Sequence, residues 1–368
     1  MRILFWTELF HPHIGGVEVF SLELIRSLQK RNYEFTVVTC HTGHNLPDES
    51  MHGGIRIFRF PFHKLLVERN MEKIRLLIRD IAELKKSIKP DIIHINSSQP
   101  SVFFHQHTHE SNTVPVVFNI HEPPSFASGR NSLMGRMLEK ADWVVAVSKA
   151  MLEEACEIVP EIEPRASVIY NALKPPPLKP SPLPFKKPVV LCIGRIVIEK
   201  GFDLAIDAFP LIREKFPGLS MVFAGDGPLR RELEQRVSKS AFHEAITFTG
   251  WIEPEKIPEL INMATIILIP SRWNEPFGLV ALQAAHMARP VVASRVGGLP
   301  EIIVQGKTGE LVQKNNSKAI AESLISLLEN REKAVQMGRA ARKRALQLFD
   351  IRKFSNEYDA LYQRLRLD

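Results

Sequence analysis

The stretch KPPPLKPSPLPFKKP, residues 174–188, divides the chain in two. Its prolines remove backbone donors and fix φ, so no helix or sheet ladder runs through it and the chain stays extended. On both sides, short β-rich apolar runs alternate with amphipathic helical stretches. Before it the strands read 3–7, 35–39, 55–60, 91–95, 116–120 and 143–147; after it they read 189–194, 220–225, 245–250, 265–270 and 290–294. From Ser317 onward the sequence reads as helices only. Between the first two strands Val17, Phe20, Leu24 and Leu28 recur at near-helical spacing. The strands show little strict alternation, as expected where helices cover both faces of a parallel sheet. The predicted fold is therefore α/β, two doubly wound Rossmann-like domains facing a cleft. Residues 1–173 form the first domain, 174–188 the linker, 189–346 the second domain, and 347–368 a C-terminal helix placed to pack back on the first. Ligands of such sheets bind outside the carboxyl ends of the strands.

Composition agrees with a globular protein of this kind. The 368 residues are 45% apolar and 24% charged, which argues against disorder and is enough for two ordinary cores. The formal charge of +7 is unevenly placed. Residues 1–180 carry 21 Lys and Arg against 20 Asp and Glu, and residues 181–368 carry 27 against 21, so the second half holds the excess. That suits a polyanionic ligand in the second half. It suits nucleic acid less well, because no stripe of interleaved basic and aromatic residues accompanies the charge. Cys40, Cys156 and Cys192 cannot all pair and match no zinc spacing, so buried, reduced thiols are expected at Cys40 and Cys192. The opening MRILFWTELFHPH lacks the apolar stretch of a signal peptide, and no apolar run approaches a membrane span, which leads us to expect a cytoplasmic protein, in association with the inner face of a membrane at most.

Three segments carry residues suited to chemistry. Gly15 and Gly16, in ELFHPHIGGVEVF, lie between the first strand and the first helix, where a glycine doublet lets backbone approach a ligand and the helix offers free N–H groups to an anion. An ordinary tight turn would read the same way. Gly194 and Arg195 end the first strand of the second half, with Lys200 and Gly201 following closely. Two fixed cations there can neutralise a diphosphate leaving group without a metal, although solvated surface charges would also fit. The third segment, PSRWNEPFGLVALQ at 270–283, is the most informative. A strand ends at Pro270, and a helix is expected to start near Pro276, proline being well suited to a first helical turn. The N–H groups of Phe277, Gly278 and Leu279 would then face a pyrophosphate. Glu275 is placed to accept from sugar hydroxyls, unless it serves only as an acid at the helix start. Gln283, one turn beyond Leu279, is within reach of a ribose.

This third segment resembles the E-x7-E signature of the retaining GT-B-fold glycosyltransferases of the family 4, group 1 type. The resemblance continues through PVVAS at 290–294, GGLPEI at 297–302 and GKTG at 306–309, and upstream through GRIVIEKG at 194–201 and AGDGP at 224–228. The Gly15-Gly16 loop is similar to the family's N-domain glycine loop. Membership would imply metal-independent transfer of a sugar, without a cofactor, from a nucleotide-diphosphate donor such as a UDP- or GDP-sugar. The hydroxyl acceptor would be a glycan, a lipid-linked molecule or a small glycoside. By resemblance, Arg195 and Lys200 would hold the diphosphate and Glu275 the donor sugar. The backbone of Phe277, Gly278 and Leu279 would meet phosphate and sugar, the base would lie near Ile252, and Gly16 would approach the phosphate from the other domain. His121, in NIHE at 119–122, occupies the place of a family histidine beside the transferred sugar. Gln283 departs from the pattern: an amide stands where the second acid belongs, and it hydrogen-bonds a ribose without a carboxylate's charge assistance. A nucleotide-sugar epimerase and a non-catalytic nucleotide-sugar-binding protein are the competing readings.

Two further features remain. His105, His107 and His109 suggest a metal, but only His105 and His109 share a helix face and no acid or thiol completes a site, so none is expected. The helix around 72–89 sets Ile74, Leu77, Ile78, Ile81 and Leu84 in a stripe with basic residues at its edge, which would pack on the sheet or make peripheral contact with a membrane.

Overall fold

The computed structural model describes residues 1–13, 15–42, 46–96, 101–108, 114–123 and 129–367. The chain forms two compact units, residues 1–172 with 351–368, and residues 173–350. Each is built on its own sheet.

The first unit carries β1 (Arg2–Trp6), β2 (Glu34–Cys40), β3 (Glu49–His52), β4 (Ile55–Phe60), β5 (Ile92–Ile95), β6 (Val116–Ile120), β7 (Trp143–Ala146) and β8 (Ala166–Val168). They lie in the order β3-β4-β2-β1-β5-β6-β7-β8. All pairs are parallel except β3 with β4. Successive side chains of a strand point to opposite faces. Ile3 and Phe5 accordingly enter one core and Leu4 and Trp6 the other, which is why the strand reads as a continuous apolar run. The helix Ile351–Leu367 belongs to this unit, where Phe354, Tyr358, Leu361, Tyr362 and Leu365 bury against Phe20, Leu24 and Leu28 of the helix Gly16–Gln29. The sheet has two strands that the sequence pattern did not reveal. β3 is polar (ESMH) and joins β4 through Gly53 and Gly54, whose φ angles of 56° and 78° fit a tight hairpin turn. β8 is only three residues long.

The second unit carries β9 (Val189–Ile193), β10 (Ser220–Ala224), β11 (Ile246–Gly250), β12 (Ile266–Ile269), β13 (Val291–Ser294) and β14 (Glu310–Val312), in the order β11-β10-β9-β12-β13-β14. All its strand pairs are parallel. Three-residue β14 is a further strand too short to stand out in the sequence. The helices Phe202–Lys215 and Ser317–Glu329 cover one face with Phe209, Ile212, Leu324 and Leu327.

The proline-rich segment lies on this second unit. Leu183 and Phe185 pack against its core, and Arg289 Nη1 donates to Ser181 O at 2.8 Å. Asn262 Oδ1 accepts from the Ser181 amide at 2.8 Å. Arg289 is 1% exposed, and burial lowers its pKa to about 10. A buried guanidinium needs its N–H groups satisfied, and the carbonyls of Ile261, Ser181 and Asn262 do this.

Candidate active site

In the second unit the chain runs from β9 outward to β10 and β11, then returns to place β12 on the other side of β9. The strand order reverses between β9 and β12, and the crevice at such a switch point is where open α/β sheets bind ligands. Gly194 and Arg195 follow β9, and the segment from Pro270 follows β12. The two loops meet there. Lys200 Nζ lies 2.6 Å from Glu275 Oε1, and the Arg272 amide donates to Glu199 O at 2.8 Å. Arg272 pairs with Asp203. Gly201 has φ 64°, and a Cβ there would stand 2.2 Å from Pro270 O, so only glycine lets the loops approach this closely.

Neighbouring loops join the same place. The Gly194 amide donates to Ala224 O at 2.9 Å and the Ile196 amide to Asp226 O at 2.8 Å. A Cβ on Gly225, at φ 137°, would lie 2.0 Å from Gly194 O. On the other side the Gly298 amide donates to Glu275 O at 2.8 Å. The motif segments after β9, β10, β12 and β13 are thus one constellation. Ile252 follows β11 at its flank, beside Trp251, which is 57% exposed, and the Gly250 carbonyl accepts from the Gly225 amide at 2.9 Å.

The side chains divide by environment. Glu275 is buried, and its Oε1 accepts from both Lys200 and the Ser271 hydroxyl. Lys200 Nζ also sits 5.3 Å from the Trp273 ring centroid, a cation–π distance. Arg195 is exposed, with no side-chain partner among the described residues. Gln283 is half-buried, its amide likewise without a partner among the described residues.

One expectation is corrected. The helix begins at Leu279, not near Pro276, with Gly278 as its N-cap at φ 109°. The Phe277 side chain is 2% exposed and meets the Phe349 ring at 5.6 Å between centroids, which anchors Pro276 and Phe277 in the loop before the helix. The amides left over at the helix start are those of Gly278, Leu279 and Val280, since a helix's first N–H groups have no acceptor one turn back. Ser271 and Trp273, which the sequence reading passed over, touch Glu275 and Lys200; their signal was position just past the carboxyl end of β12.

In the first unit Gly15 is the N-cap of the helix Gly16–Gln29. The Glu18 carboxyl folds back onto its own amide and onto Gly15, where a Cβ would lie 2.4 Å from Oε2. Burial raises the Glu18 pKa. This carboxyl stands where an anion at that helix start would bind. His121 follows β6, with Nε2 at 2.6 Å from Asn96 Oδ1, and burial lowers its pKa to about 3. A groove of about 1200 Å³ opens over the carboxyl ends of β1, β2 and β4, lined among others by Glu8, His41, Phe60, His63, Lys64 and Asp80.

His105 and His107 do not act together. His105 is buried with Nδ1 at 3.2 Å from Lys85 Nζ, His107 Nδ1 lies 2.8 Å from Phe103 O, and His109 falls outside the described residues. Among the described residues no three His, Cys, Asp or Glu side chains form a metal-binding group. In the helix Met71–Ile88, Ile74, Leu77 and Ile81 are buried in the core and Ile78 and Leu84 pack partly against it, so the sheet takes up the apolar stripe. No helix among the described residues is long and apolar enough to cross a membrane. Cys40 and Cys192 are buried free thiols.

Two parallel-sheet units, the second with its glycine-rich loops gathered at the switch point, define an α/β protein of the GT-B class. The chain belongs to the glycosyltransferases: residues 178–344 match the glycosyl transferases group 1 model and residues 14–175 match glycosyltransferase family 4. It is 27% identical over 362 residues to an uncharacterized glycosyltransferase of Methanocaldococcus jannaschii, with 90% of each chain covered. Sucrose-phosphate synthase from Thermosynechococcus elongatus shares the fold at TM-score 0.84 and 23% identity, over 99% of this chain and 98% of that one. So does the Anabaena protein HepE in complex with UDP-glucose, at TM-score 0.80 and 21% identity, over 99% and 100%.

Proposed function

We propose that this glycosyltransferase moves a sugar from a UDP- or GDP-sugar to a hydroxyl acceptor, with retention at the anomeric carbon and without a metal ion. The observation that carries this reading is the meeting of the β9 and β12 loops, which puts Lys200 on Glu275 beside unpartnered Arg195 and a helix start. Arg195 and Lys200 take the charge that develops on the departing diphosphate, the part a divalent cation plays elsewhere. Gly278, Leu279 and Val280 add amide donors to phosphate, and Glu275 accepts from the donor sugar. Gln283 bonds the ribose, and the base rests near Trp251 and Ile252. The acceptor hydroxyl attacks from the face the diphosphate leaves, so no protein nucleophile is needed.

HepE was solved with UDP-glucose, which supports a uridine nucleotide as the first donor to try. We place the acceptor in the first unit's groove, where the carboxyls of Glu8 and Asp80 beside Phe60 suit a hydroxyl-rich glycoside. The deciding experiment screens nucleotide sugars for thermal stabilisation and then follows the best one with and without candidate acceptors. Transfer only in the presence of acceptor supports the proposal. Consumption of the sugar without acceptor would point to epimerisation, and stabilisation without any turnover to a binding protein.

A further inference from the structure

The hydrogen bonds behind His121 run in one direction. Ser21 Oγ donates to Val17 O at 2.7 Å, so its proton is spent and it can only accept from Asn96 Nδ2, 3.0 Å away. That fixes the Asn96 amide: its nitrogen faces Ser21 and its oxygen faces the other way. On that side His121 Nε2 lies 2.6 Å from Asn96 Oδ1 and Asn119 Nδ2 lies 3.1 Å from it. An amide oxygen only accepts, so Nε2 carries the imidazole proton. Asn119 Nδ2 is also 2.9 Å from His121 Nε2, but its two protons go to Asn96 Oδ1 and to the Tyr358 hydroxyl at 2.9 Å. His121 Nδ1 is left as the lone-pair nitrogen, with no hydrogen-bond partner among the described residues.

We propose that Ser21, Asn96, Asn119 and Tyr358 are positioning residues that hold His121 as its Nε2–H tautomer, so that Nδ1 accepts a hydrogen bond from a sugar hydroxyl during transfer. The assignment rests on the sugar-transfer reading above. Its surroundings keep the ring neutral. Phe20 meets it edge-on at 4.4 Å between centroids, and burial lowers its pKa to about 3. Among the described residues, the titratable side chains packed about this network are His94 on β5, itself lowered to about 3, and Tyr358 on the helix Ile351–Leu367, raised by burial. Neither adds charge at neutral pH. A bare Nδ1 therefore persists across the working range, and a hydroxyl is the donor it suits.

The test is Asn96→Asp, which sets a carboxylate against Nε2–H and favours the imidazolium. Nitrogen-15 NMR of histidine-labelled protein reads tautomer and titration without any substrate. The expected wild-type spectrum shows Nε2 protonated and no titration above about pH 4, and the variant titrates higher by roughly two or more pH units. Transfer by the variant gains an acid limb at that new pKa, because protonation removes the Nδ1 lone pair. Tyr358→Phe removes one brace without a charge change and lowers kcat roughly two- to tenfold with donor KM unchanged. If the aspartate variant does not fold, the wild-type spectrum and the phenylalanine variant decide. An Nδ1–H tautomer overturns the proposal, as does an aspartate variant with unmoved titration and pH profile. The predicted spectrum in a protein that consumes no nucleotide sugar sinks the transfer reading, and with it the role of Nδ1, while leaving the tautomer assignment intact.

Discussion

Lys85 offers a prediction that needs no substrate. Its side chain is 1% exposed in the first unit, with Nζ at 2.7 Å from Thr108 Oγ1, 3.2 Å from His105 Nδ1 and 5.5 Å from the Trp6 ring centroid. Burial lowers its pKa from 10.5 to about 7. The unfolded chain keeps a proton on this amine up to the ordinary lysine value, while the folded chain gives it up near 7. Unfolding between those limits takes up a proton, so stability rises as pH goes from about 7 towards 10.5 and levels off below 7. At about 1.4 kcal/mol per pH unit, the gap sets an upper limit of about 5 kcal/mol on what the amine costs at neutral pH. Local relaxation and water entry reduce such penalties, so we expect about 2–3 kcal/mol. Lys85→Met keeps the length of the side chain and fills the same space with an adaptable thioether. Thr108 Oγ1 stays satisfied, because it also donates within the helix turn. The variant should unfold at higher urea than the wild type at pH 7, and the advantage should shrink steadily towards pH 10. Because two units need not unfold together, amide hydrogen exchange in β1 and in the helix Met71–Ile88 is the cleaner assay. A wild type and variant with parallel pH dependence would refute the reasoning.

The other predictions concern turnover. Lys200→Ala should remove about 3 kcal/mol of transition-state stabilisation, roughly a hundredfold in kcat/KM, and near-normal turnover would take Lys200 out of the mechanism. Gln283→Glu restores charge assistance to the ribose contact and should tighten donor binding several-fold; calorimetric titration showing equal or weaker affinity removes Gln283 from that contact. Glu8→Gln should raise the KM of the acceptor and leave the donor KM alone, and a change confined to the donor would move the acceptor out of the first unit's groove.

Much of this was readable from the chain. The alternation of apolar runs and helices reflects a simple fact: residues such as Ile3 and Leu4 enter opposite cores, so a strand buried on both faces cannot hide its apolar character. Glycines 201 and 225 stood out because close backbone contact there tolerates no side chain, and Gly194 because its φ of 144° suits glycine. The omissions have equally physical causes. β3 is a polar edge strand and β8 and β14 have three residues each, too few to establish a period. The helix start was misplaced because Pro276 favours a first turn locally, whereas Phe277 is drawn into the core and Gly278 adopts a left-handed conformation. The His121 clamp was illegible for another reason: Asn119 and Tyr358 are 239 residues apart, and no local pattern records a bond of that span. The histidine-rich first half likewise resolves into separate uses, with His11 stacked on His52, His41 bonded to Leu46 O and His94 buried against Tyr362.

The helix Ile351–Leu367 belongs to the first unit yet follows the whole second unit along the chain. A ribosome that has finished residues 1–172 has released a sheet whose Phe20 and Leu24 face still lacks Phe354, Tyr358 and Tyr362. That face stays wet while the whole second unit is translated. Completion of the first unit's core thereby waits for residues 351–367, and a nascent chain stalled short of residue 351 carries an unfinished apolar surface for chaperones to recognise.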